Sequence, residues 1–187
     1  YYLTVMNENY RQPAMPDGAV SSIIKGMYLF RAAGSTSNAL RVQLLGSGTI
    51  FREVIEAAAL LQADWGVESD LWSCPSFTEL ARDGMGAARH NLLNPAGKPR
   101  VSHVAQCLDE TAGPVVAATD YVRAFAEQIR AYVPRRYLVL GTDGLNEVVT
   151  VDHQEGYVAY LPSGQGVVNT YTQGAIVQAM EEDSAKP

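Results

Sequence analysis

The chain has 187 residues, with 14 Lys and Arg against 20 Asp and Glu for a net charge of −6, and hydrophobic residues make up 47% of it. This is the composition of a soluble globule long enough to bury a proper core, and its charge argues against nucleic acid or an anionic membrane as the main partner. No apolar run approaches the roughly 20 residues that a bilayer-spanning helix needs.

The chain begins at Tyr1, without methionine or a signal pattern, and reads as a piece of a longer polypeptide. Tyr1–Met6 is aromatic and β-branched, the pattern of a strand. The following stretch to Gly18 carries Pro13 and Pro16 and predicts an extended linker, because proline fixes φ and restricts the residue before it. Ile23–Arg31 predicts a strand, and Gly34–Asn38 a turn.

The centre of the chain is clearer. Leu40–Leu45 is a short apolar run, broken by Gly46-Ser47-Gly48-Thr49. From Ile50 the apolar positions Val54, Ala57, Ala58 and Leu61 recur at helical spacing, so the stretch predicts strand, glycine turn and helix, the first half of a βαβ unit. Gly46-x-Gly48 lacks the third glycine of a dinucleotide fingerprint, since that position is Phe51. A turn with a Ser/Thr N-cap accounts for it, and an anion held at the helix N-terminus is the alternative.

Val67–Ser73 predicts the next strand. Ser76 and Glu79 then stand in capping-box spacing, and Gly84 in the position of a helix C-cap. Asn91–Arg100 reads as loop, Val101–Leu108 as a short helix and Pro114–Thr119 as a third strand. Asp120 is expected to cap a helix carrying Val122, Phe125, Ile129 and Val133, ended by Pro134. Tyr137–Thr142 is a fourth strand, closed by Asp143-Gly144. Beyond it, Glu147–Asp152 and Gly156–Leu161 read as short strands, the segment around Pro162, Gly164 and Gly166 as loop, and Thr172–Glu182 as a last helix. Strands alternating with helices predict an α/β fold: a mainly parallel sheet with helices on both faces.

Catalytic signatures are sparse. His90, His103 and His153 are the only histidines, and no two share metal-ligand spacing. The nucleophile elbow G-x-S-x-G, the phosphate loop and H-E-x-x-H do not occur. Ser76, Glu79 and His103 are the residues that a small acyl or phosphoryl transferase would use, although capping already explains the first two. Arg135-Arg136 reads as a solvated pair at a helix end, and the 10 tyrosines suit interfaces, with core packing as the competing explanation. Cys74 and Cys107 make no C-x-x-C and suit a reduced, cytoplasmic setting, with a single disulfide between them left open.

Several longer words say more. Asn7-Glu8-Asn9-Tyr10 with Pro13-Ala14-Met15-Pro16, Val42–Gly48, Ser76–Gly84, Thr119-Asp120-Tyr121 and Leu140–Gly144 together resemble, in order, the C-terminal region of the homodimeric pyruvate dehydrogenase E1 family. The resemblance spans residues 1–144. It implies a transketolase C-terminal-type domain from residue 19 to 187, preceded at 1–18 by the end strand and exit linker of a pyrimidine-binding domain. For the whole enzyme it implies decarboxylation of pyruvate with thiamine diphosphate and magnesium, and transfer of the acetyl group to a lipoyl-bearing E2. It further implies a homodimer, with this segment serving assembly.

The family's Gly-Asp-Gly…Asn-Asn motif is absent, since Arg82-Asp83-Gly84 and Thr142-Asp143-Gly144 do not supply it. No catalytic, cofactor-binding or metal-binding residue is therefore carried over. Arg89-His90-Asn91 replaces the family's Arg-Trp-Asn, and Leu145–Thr150 departs from its Phe-Gly-Arg-Ser turn, so residues 145–187 are not matched. The alternative to the family reading is a flavodoxin-like module that holds a phosphate-bearing ligand at Gly46–Thr49.

Overall fold

The computed structural model describes residues 11–34 and 40–142, together with the backbone of short strands at 148–150, 157–160 and 166–167. The predicted strand Tyr1–Met6, most of the turn before Leu40, Asp143-Gly144 and the helix Thr172–Glu182 lie outside the described residues.

The main sheet has five strands: β1 (Tyr28–Arg31), β2 (Arg41–Ser47), β3 (Glu68–Ser73), β4 (Val115–Val122) and β5 (Tyr137–Thr142). Their order is β1-β3-β2-β4-β5. The four strands from β3 to β5 pair in parallel and β1 runs antiparallel at the edge. Parallel strands need helical crossovers, and these cover both faces. On one face α2 (Phe51–Trp65) sets Val54, Ala57, Ala58 and Leu61 onto Val42, Leu44, Leu71, Val116 and Ala118. On the other, α3 (Phe77–Leu93), α4 (His103–Leu108) and α5 (Arg123–Glu127) cover Leu45, Trp72, Val115, Ala117 and Val139. Alternate residues of β2 and β4 thus enter different cores, as period-2 side chains in a doubly covered sheet must. This is the α/β sandwich expected.

Of the buried polar side chains among the described residues, Gln43 lies deepest. Gln43 is fully buried on β2, donates from Nε2 to Asp70 at 2.7 Å and to the Ala112 carbonyl at 3.0 Å, and accepts from the Trp72 indole at 2.8 Å. Asp70 in turn takes the Ala33 amide at 2.7 Å. A saturated network of this kind ties β2 and β3 to the flanking loops and fixes their register.

Four predicted elements are corrected. The stretch given as one strand from Ile23 divides into α1 (Val20–Ile24) and β1, because Ile23 bonds back to Ala19 at 2.9 Å and Gly26, at φ 96°, turns the chain before the strand. Helix α3 does not stop at Gly84 but continues nine residues further to Leu93, taking the first three residues of the predicted loop Asn91–Arg100. Gly84 is needed there for space: a Cβ would lie 2.3 Å from the Tyr132 ring. The helix predicted over 122–133 is only α5 followed by a 3-10 turn at Arg130–Tyr132, which swings Tyr132 onto α3. Finally, β6 (Val148–Thr150) and β7 (Tyr157–Tyr160) match the two short predicted strands, but β8 (Gly166–Val167) occupies part of the predicted loop and completes a small antiparallel sheet.

Candidate functional site

In an open α/β sheet ligands gather at the carboxyl ends of the strands, where the strand order reverses. Here β2 has β3 on one side and β4 on the other, so the reversal lies between β2 and β4, beside Ser47 and Thr119. The chain leaves β2 through Gly48 at φ 71°, makes a 3-10 turn at Gly48–Ile50 and enters α2. Gly46 has no room for a Cβ, which would lie 2.6 Å from the Phe51 ring.

The expected Ser/Thr cap is not formed. Neither Ser47 nor Ile50, the residues at the two N-cap positions, makes a side-chain cap bond. The cap comes from β4: Asp120 accepts the Thr49 hydroxyl at 2.8 Å and the Thr49 amide at 3.3 Å. A Cβ on Gly48 would meet this carboxylate at 2.7 Å, so the glycine admits it. Asp120 therefore does not cap α5, whose N-cap is Val122 without a side-chain bond. Tyr121 and Phe125 form an edge-to-face pair beside it, with centroids 5.0 Å apart.

This arrangement bears on any phosphate. The amide that would greet an anion already serves a carboxylate of the chain itself, and a phosphate there would meet like charge. The residues at the reversal point do not fit a diphosphate group, and no chemistry is derived through one. Ser69 Oγ is the one orphaned buried side-chain polar atom among the described residues, but residue 69 stands in register with Val42, at the opposite end of these strands. No cluster of three His, Cys, Asp or Glu that could hold a metal occurs among the described residues.

Elsewhere a concavity of about 770 Å³ lies between α3, the loop before α4 and α4 itself, lined by Lys25, Glu79, Asp83, Arg100, His103 and Gln106 among others. It brings Glu79 and His103 to one groove, but the pieces of a transferase are otherwise engaged. Ser76 Oγ accepts the Glu79 amide at 3.1 Å, the forward half of a capping box. The return half is not made: Glu79 is paired with Arg82, and the Ser76 amide goes to the Gly26 carbonyl at 3.3 Å. His103 is buried, with its Nε2 2.9 Å from the Met27 carbonyl and its amide held by Asp83 at 2.6 Å. A carbonyl only accepts, so Nε2 carries the hydrogen. No hydrogen bond links Ser76 to His103 among the described residues, and the nucleophile-base contact that acyl transfer requires is missing.

The thiols are equally quiet. Both cysteines are free, and Cys107 Sγ lies 3.6 Å from His103 Nε2. Burial pushes the Cys107 thiol up to about 11 against a smaller opposing pull from Lys25, and burial raises Cys74 further still. Both are protonated at neutral pH and lack the thiolate that a nucleophile needs.

Other singled-out residues also find structural employment. Arg135 is not a solvated cation: it donates to the Leu108 carbonyl at 3.4 Å and the Asp109 carbonyl at 2.7 Å, closing the end of α4. Tyr137 is buried and its hydroxyl donates to the Ala126 carbonyl at 2.9 Å, so core packing accounts for it, whereas Tyr121 is 55% exposed. His90 is exposed near the end of α3, and His153 lies outside the described residues.

Comparison with known proteins adds the context that the geometry lacks. A family model described as the transketolase-like TK C-terminal domain matches residues 26–146. The chain is 70% identical over 144 residues to the pyruvate dehydrogenase E1 component of Cupriavidus necator, covering 77% of this chain and 16% of that protein. It is 59% identical over 145 residues to the protein of the same name from Pseudomonas aeruginosa, with the same coverage. A third protein of that name, from Mycolicibacterium smegmatis, is 38% identical over 182 residues, which is 97% of this chain and 18% of the relative. The chain thus spans about a sixth of the length of the curated relatives it matches.

Proposed function

This chain belongs to the transketolase-like TK C-terminal domain family, and on that premise we propose that it is the C-terminal domain of a pyruvate dehydrogenase E1 component. The observation that carries the reading is the 70% identity over 144 residues to a protein of that name. The parent enzyme decarboxylates pyruvate with thiamine diphosphate and magnesium in the cytoplasm and passes the acetyl group to a lipoyl-bearing E2. The cofactor supplies the carbanion chemistry, and the protein around it supplies orientation. In this reading residues 1–18 end a preceding pyrimidine-binding domain, and residues 19–187 form a domain that contributes shape: it holds up its neighbour and helps to build the homodimer.

The described residues support a structural role. At the carboxyl edge of the sheet Asp120 is engaged with Thr49, Ser76 is spent on a cap, and His103 is anchored to the Met27 carbonyl. The test compares the parent enzyme with and without this segment. The intact parent releases carbon dioxide from pyruvate and sediments as a dimer, and removal of residues 1–187 abolishes both. Unchanged dimerisation without the segment, or decarboxylation by the segment alone when given thiamine diphosphate and magnesium, overturns the reading.

A further inference from the structure

We draw no further inference here: the strongest candidate, the groove between α3, the loop before α4 and α4 itself, mixes the exposed cations Lys25, Lys98 and Arg100 with the carboxylates Asp83, Asp109 and Glu110, so its charge singles out no class of ligand and nothing in the structure shows what fills it.

Discussion

Asp120 accepts the Thr49 hydroxyl at 2.8 Å although 71 positions separate the two residues in the chain. The start of α2 is thereby capped by a neighbouring strand, and the contact couples helix formation to correct pairing of β2 with β4. Asp120→Ala is expected to cost about 1 kcal/mol, the ordinary worth of a cap, and Asp120→Asn substantially less. Urea unfolding of the three proteins checks this, and equal stability of wild type and Asp120→Ala would refute the capping role.

Two glycines in α3 should answer an identical substitution with opposite signs. At Gly86 a methyl group meets nothing within 4 Å, so Gly86→Ala gains about 0.5–1 kcal/mol from helix propensity. At Gly84 the same methyl is driven into the Tyr132 ring, and Gly84→Ala is expected to lose about 1–3 kcal/mol from overpacking. Thermal unfolding of both variants reads the contrast, and restoration of Gly84→Ala by Tyr132→Ala confirms its source.

Gln43 is the junction on which Asp70 and Trp72 depend. Gln43→Leu leaves the buried Trp72 N–H without its acceptor and deprives Asp70 of a donor, at a cost of about 2–3 kcal/mol. Trp72→Phe removes one side of the same bond, and a double-mutant cycle should show the two changes to be less than additive. Strict additivity in denaturant unfolding would show that the indole bond is not shared.

The alkaline limb of stability should be steep. Between the ordinary thiol value of 9.0 and about 11, folded Cys107 retains a proton that the unfolded chain has lost. The native state then binds more protons, so stability is intact below that window and declines as pH rises through it. Burial holds the Cys74 thiol and the Tyr137 phenol upward as well and adds to the decline. Denaturant unfolding from pH 8 to 11 measures it, and Cys107→Ala should flatten part of the slope. Ellman's reagent should label Cys107 slowly at pH 8 and about tenfold faster per pH unit above it, in proportion to thiolate.

The sheet was legible in the sequence because its signals are local. Short apolar runs at 40–45, 114–119 and 137–142, the alternation at 67–73 and the helical spacing from Ile50 to Leu61 need no partner to be recognised. The misassigned positions are those whose role is set by a distant residue. Gly84 looks like a helix end until Tyr132 is seen against it. Asp120 looks like the cap of the next helix until the sheet carries it to Thr49. Ser76, Glu79 and His103 were visible as reactive types, but only coordinates reveal that their lone pairs and hydrogens are already committed. Family words in the chain pointed further than its chemistry did, because they are spread over strands, turns and helix starts and need no reactive constellation to be recognised.

The reversed direction of β1 has one more consequence. Tyr28 at its start lies opposite Ser73, the last residue of β3, so the polypeptide arrives at the same rim where β2 and β4 finish. A parallel β1 would have received it at the far rim. The segment carrying α1 thus enters the sheet at the rim of the strand tips, and the direction of a single edge ribbon decides at which end of the sheet α1 sits.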